Sequence, residues 1–166
     1  MLKKVTLLSY IFFLNSLLYA ESYPNACFDK ACEPAIRREI SKAKTTIRLA
    51  VYSFTRFSLA ASLTRAADKG LDVQVIVDKK QLKHDSSEKI LKILKEGGVK
   101  VFIIDKKNKS SMHHKFLVLD SQVTITGSFN YTTSASKYNS ENILIVKDKK
   151  ISTLFEKEWL KLIVDL

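Results

Sequence analysis

The chain has 166 residues, enough for one domain with a real core, and its 46% apolar content excludes a disordered polymer. Its formal net charge of +11 points to polyanions such as nucleic acid or anionic lipid headgroups, and away from basic partners.

Residues 1–20 read as a secretory signal or an N-terminal membrane anchor. Lys3 and Lys4 form a positive start, Val5 to Leu14 are mostly apolar, and Ala20-Glu21 offers a cleavage site. The stretch is short for a membrane span and is interrupted by Asn15 and Ser16. Leu18 stands where a cleavage site prefers a small residue, so retention as an anchor is open. On either reading residues 21–166 form one exported domain, periplasmic or attached to the cell envelope, with membrane association through the N-terminus. Without Lys3 and Lys4 it keeps a surplus of +9. In an exported chain, Cys27 and Cys32 are expected to form a small disulfide loop; a metal role lacks neighbouring ligands.

Pro34 to Lys44 predicts a helix, with Ile36 and Ile40 four apart. Thr45 to Phe54 predicts the first strong strand, where Ile47, Leu49 and Val51 alternate with Arg48 and Tyr52. Ser58 is expected to cap a helix running to Asp68 that Gly70 stops. Val73 to Val77 is a buried strand. Asp85 with Glu88 opens a helix that Gly97-Gly98 ends, and Val99 to Ile104 is the next strand. Strand-helix-strand-helix-strand implies right-handed crossovers and a mixed, largely parallel α/β sheet flanked by helices. Further on, Asn130 to Lys137 reads as a short helix, Asn142 to Val146 as a strand, and Ile151 to Val164 as a closing helix. Leu154, Phe155, Trp159 and Leu162 are expected to place that last helix on the core.

Between these elements lies Met112 to Asn130, MHHKFLVLDSQVTITGSFN, which carries the chemistry. Phe116 to Leu119 and Val123 to Thr126 read as two strands of a hairpin turning at Asp120-Ser121. His113 and Lys115, two apart on a strand, share a face, and the hairpin brings them to the same end as Ser128 and Asn130. A neutral imidazole can attack phosphorus, and the lysine is a fixed charge for an oxygen that becomes more negative in the transition state. Gly127 would let backbone approach a ligand, while Ser128 and Asn130 add hydrogen-bond donors. Glu141 is placed to hold the far ring nitrogen of His113. His114 points to the opposite face, and His84 reads as a solvated side chain in a lysine-rich loop.

This spacing, His113-x-Lys115-x4-Asp120-x6-Gly127-Ser128-x-Asn130, resembles the HKD signature of the phospholipase D superfamily. With Glu141 about ten residues on, it is similar to the small bacterial Nuc-type endonucleases that carry one motif per chain, in particular the envelope-attached NucT kind. The resemblance implies a phospholipase D-like fold, a phosphodiesterase, catalytic His113, Lys115, Asp120 and Glu141, and phosphate held by Lys115, Ser128 and Asn130. It also implies a homodimer. The chain's own count agrees: cleavage through a covalent intermediate needs a nucleophile and an acid on opposite sides of phosphorus, and one His113 cannot be both. In this family Asp120 looks like a brace for the motif and the dimer contact. Its plain reading is a turn residue.

No metal or other cofactor is expected, because the histidines diverge and Lys115 already supplies the cation. The expected substrate is nucleic acid, DNA and preferably single-stranded. Lysines 79, 80, 83, 106, 107 and 109 lie in loops bordering the sheet and could follow a phosphate backbone. Of Tyr52, Phe54, Phe57, Phe129 and Tyr131, most are expected in the core, with some free to stack on bases. The alternatives are a phospholipid phosphodiesterase of phospholipase D or cardiolipin type, and a catalytically silent DNA-binding protein of uptake.

Overall fold

The computed structural model describes residues 25–83, 85–106 and 110–164. The expected leader, His84, Lys107 and Lys109 lie outside them. Seven strands are present: β1 (Asn25–Phe28), β2 (Thr46–Val51), β3 (Asp72–Asp78), β4 (Lys100–Ile104), β5 (Lys115–Leu119), β6 (Val123–Gly127) and β7 (Asn142–Val146). Among the described residues five α-helices accompany them: α1 (Cys32–Lys42), α2 (Phe57–Asp68), α3 (Asp85–Glu96), α4 (Thr133–Lys137) and α5 (Lys149–Val164). The strands form one mixed sheet in the order β1-β7-β6-β5-β2-β3-β4.

The expected mixed α/β class holds, but the parallel part stops at three strands. β2–β3 and β3–β4 pair in parallel, while β1–β7, β7–β6, β6–β5 and β5–β2 are antiparallel. The reason is the link after β4. It contains no crossover helix among the described residues, so the chain re-enters from the edge where β4 ended, and only an antiparallel strand fits. β5 then lies on the free side of β2, with Lys115 opposite Val51. β1 is a strand that the sequence reading did not anticipate; it is short and pairs with β7 alone.

Alternation along the strands makes two cores. Leu49, Val75, Leu117 and Leu119 face α1, α2 and α3 in the larger one. Ala50, Ile76, Phe116 and Val118 face Trp159 and Leu162 of α5 in the smaller one. Each fully buried aliphatic side chain contributes about 1.5–3 kcal/mol, so the sheet is held from both sides. α5 departs from its expected stripe at Leu154, which is 60% exposed, because Phe155, Trp159 and Leu162 already fill the contact.

Two local expectations are corrected. Ser58 is not a cap: α2 starts at Phe57, and the hydroxyl of Ser58, its second residue, donates to buried Glu33. Cys27 and Cys32 are free thiols, not a disulfide. Cys32 is buried in the first turn of α1 and donates to the Cys27 carbonyl at 3.4 Å, while burial, chiefly, pushes its thiol up to about 11.

Candidate active site

The strand directions bring distant residues to one edge. β2, β3 and β4 end there, β5 begins there, β6 ends there, and β7 begins there. That edge therefore carries Tyr52 and Ser53, Asp78, His113, Lys115, Ser128, Asn130 and Glu141, the usual place for a site in an α/β sheet.

His113 is exposed, and its ring leans on Tyr52 with centroids 4.5 Å apart. The Lys115 ammonium lies 3.2 Å from Nδ1 and 3.4 Å from Nε2 of that ring, and it donates to the His113 carbonyl at 2.9 Å. It also sits 5.3 Å from the centre of the Tyr52 ring. Desolvation first, and the Lys115 charge second, lower the His113 pKa below the ordinary histidine value. The neutral, nucleophilic imidazole is thereby favoured at neutral pH. Lys115 is lowered too, by desolvation, against the opposing pull of Glu141.

Glu141 does not hold the His113 ring within this chain. It is buried, accepts from the Ser128 hydroxyl and accepts from the Asn139 amide at 3.0 Å. Ser128 in turn accepts from the Asn142 N–H at 3.1 Å, so its hydroxyl ties β6 to β7 before any phosphate arrives. Asn130 is better placed as a donor. Its Oδ1 accepts from the Ser53 N–H at 3.4 Å, which leaves the amide NH2 without a partner among the described residues. Gly127 serves strand packing: an added Cβ would lie 2.1 Å from the Asn142 carbonyl oxygen, so only glycine lets β7 come this close.

Asp120 lies at the other end of the hairpin, five strand residues or about 17 Å from Lys115. Both its carboxylate oxygens are occupied there. Oδ1 accepts from the N–H groups of Thr45 at 2.8 Å and Thr46 at 3.0 Å and from the Thr45 hydroxyl at 2.9 Å, while Oδ2 accepts from the Lys44 N–H at 2.8 Å. Asp120 and Ser121 both take positive φ, 53° and 54°, as a two-residue hairpin turn requires. At that distance Asp120 touches no phosphate bound at His113, and it is a brace between the turn and the start of β2.

The sequence reading missed Asp78. This buried carboxylate ends β3, accepts from the Met112 N–H at 2.7 Å and from the Lys80 N–H at 2.8 Å, and so fixes the residue that precedes His113. An acid closing the apolar run VQVIVD was the available signal. His114 faces the other way, toward Glu158 of α5 at 3.4 Å, as the alternation requires. Phe54, Phe129 and Tyr131 are core, whereas Phe57 is 64% exposed.

A nucleophilic imidazole beside a fixed cation, at the open edge of this sheet, defines a phosphodiester-cleaving site of the phospholipase D kind. The family profile described as "Cardiolipin synthase, PLD-like domain" matches residues 36–163, and the chain belongs to that family. It is a phosphodiesterase of the phospholipase D superfamily. Phospholipase D of Rickettsia conorii is 28% identical over 143 residues, 85% of this chain and 70% of that protein. Mitochondrial cardiolipin hydrolase of Xenopus tropicalis is 35% identical over 123 residues, 73% of this chain and 56% of that protein. Among solved structures, the phospholipase D family member Nuc from Salmonella typhimurium superposes with a TM-score of 0.77 at 26% identity, covering 83% of this chain and 93% of that one. NucT from Helicobacter pylori shares the fold, with a TM-score of 0.75 at 22% identity over 84% of this chain and 96% of that one.

Proposed function

We propose that the protein is an exported, metal-independent endonuclease that cuts DNA, preferentially single-stranded, through a phosphohistidine in a homodimeric active site. The observation that carries this reading is the pair of exposed His113 and half-buried Lys115 on a chain with a surplus of +11 charges and no second His-x-Lys. His113 of one chain attacks phosphorus; a P–N bond forms and the P–O bond to the leaving group breaks. His113 of the second chain gives its proton to that oxygen, then takes one from the water that hydrolyses the phosphohistidine. Lys115 and the Asn130 amide hold the non-bridging oxygens. Glu141 supports them by fixing Ser128 and drawing the Lys115 charge into place.

The dimer has a second support. Phe28, Phe57 and Tyr138 are large, more than 60% exposed, and all attached at the catalytic edge: Phe28 pairs with Asn142, Phe57 follows the exit of β2, and Tyr138 precedes β7. A twofold contact through this edge would cover them and bring two copies of His113 together.

The test is cleavage of single- and double-stranded DNA in excess chelator by wild type and His113→Ala, with sedimentation at the assay concentration. Cutting by a dimeric wild type alone is the expected result. Loss of wild-type cutting on chelation, or full activity in a monomer, overturns it. A second reading, a phospholipid phosphodiesterase, is favoured by the names of the relatives, phospholipase D and cardiolipin hydrolase. Release of headgroup from phospholipid without DNA cleavage would establish that reading instead.

A further inference from the structure

A basic concavity lies away from the catalytic edge. A groove of about 370 Å³ runs between α1 and α2, from Pro34 to Leu71, with Arg37, Arg38, Arg65 and Lys69 along it. Among the described residues no carboxylate lines it. Arg38 lies 3.4 Å from Glu39, but Arg37, Arg65 and Lys69 are exposed and enter no ion pair with a carboxylate among the described residues. Arg65 is directed by a bond to the Ser62 hydroxyl at 3.2 Å. Three unneutralised cations along one groove give it a positive potential that favours an anionic guest.

The groove's position says what the guest is. α1 and α2 both run from the catalytic edge to the opposite edge, because α1 precedes β2 and α2 follows it. Their starts are joined by Glu33, which accepts from Arg56 at 3.0 Å and from Ser58. From Pro34 to Ala43 the groove follows α1 for about 14 Å at 1.5 Å per residue, long enough for more than one phosphate of a polymer. A lipid-binding surface would set large apolar side chains among the cations, yet none of the exposed large hydrophobic residues lines this groove. We infer that the α1–α2 groove is an anchoring site for the phosphate backbone of a nucleic acid strand whose scissile phosphate lies at His113. This rests on the nuclease reading and adds to it a second, non-catalytic contact that a small phosphodiester would not reach.

The test compares wild type, Arg37→Glu/Arg65→Glu and Arg37→Lys/Arg65→Lys in the full chain. The readouts are KM and kcat on long single-stranded DNA, turnover of bis(p-nitrophenyl) phosphate, and anisotropy of a labelled single-stranded oligonucleotide across a salt series. The charge-reversed variant is expected to bind the oligonucleotide and to reach half-saturation on DNA about tenfold or more weakly. Its log–log salt slope should be shallower by roughly 1.4, at about 0.7 per lost phosphate contact on a single strand. The lysine pair should restore most of both, and small-diester turnover should stay constant in all three. Equal oligonucleotide affinity and slope in wild type and reversed variant overturns the anchor while leaving DNA cleavage intact. If wild type turns over the small diester but neither binds nor cuts nucleic acid, the nuclease reading and the anchor fall together. Loss of binding to cardiolipin-containing vesicles in the reversed variant would then give the groove to lipid headgroups.

Discussion

At one end of the β5–β6 hairpin, His113 stands exposed and Lys115 half-buried, and the ring of His113 rests against Tyr52 and Lys115. At the other end, Asp120 accepts four hydrogen bonds from Lys44, Thr45 and Thr46 and is held in a tight turn. The same motif therefore supplies a reactive end with unmet interactions and a structural end with all of them met. Substitutions at the first should remove chemistry and spare the fold. Those at the second should do the reverse.

The largest effect is expected at the reactive end. His113→Ala should lower kcat/KM on a phosphodiester by about 10⁴-fold or more with an unchanged melting temperature. Lys115→Met should cost about 10²–10³-fold, the scale of removing one preorganised charge stabiliser. It should also move the acid limb of the rate profile. In the wild type, desolvation and then Lys115 hold the His113 pKa below its usual value of about 6.5, so the neutral nucleophile persists as pH falls past that point. Without the lysine the limb should rise toward the ordinary value; a limb that stays put would show that Lys115 does not set the His113 charge.

At the structural end, Asp120→Ala should lower stability by about 2–3 kcal/mol in urea while kcat per folded molecule stays within a few-fold. Burial alone would raise the Asp120 pKa, but donors from Thr46, Thr45 and Lys44 outweigh it and hold it below the usual carboxylate range. Its contribution is therefore present above the unfolded value of about 3.9 and is lost as pH falls through the lower, folded one. Asp120→Ala should accordingly flatten the acid-denaturation curve below about pH 4. A large kcat loss in a stable variant would instead make Asp120 part of the chemistry.

Gly127→Ala lies between the two cases, since its Cβ would strike the backbone of Asn142 and Ile143. About 1–3 kcal/mol of stability should be lost, with activity falling as β7 and Glu141 shift. The smallest effect expected is at the cysteines. In the folded protein a thiol reagent should modify Cys27 first, because Cys32 is buried with its pKa pushed up to about 11. Only full denaturation should expose the second thiol.

Much of this molecule was legible without a fold. Alternation of Ile47, Leu49 and Val51 gave β2, and Asp85 with Gly97-Gly98 bounded α3, because period and punctuation are local properties. His113, Lys115 and Asn130 share an edge for the same reason: a two-residue turn fixes which ends of a hairpin meet. What the spacing left open was the partner of each polar group. Glu141 sits near the motif in sequence, and its carboxylate still goes to Ser128 and Asn139, because the β6–β7 register sets Ser128 beside Asn142.

The order of polar and apolar residues by itself determined β2 to β7, the hairpin, the nucleophile with its cation, and the family, but not β1. The tertiary structure alone decided that β5 joins β2 on its free side, and that Asp78, 34 positions before Met112, fixes the approach to His113. It likewise aligned arginines from two separate helices along one groove. The physical reason is that hydrophobic period and turn chemistry act within a few residues. Strand order, and the pairing of buried polar groups across it, are settled only when the whole sheet is assembled.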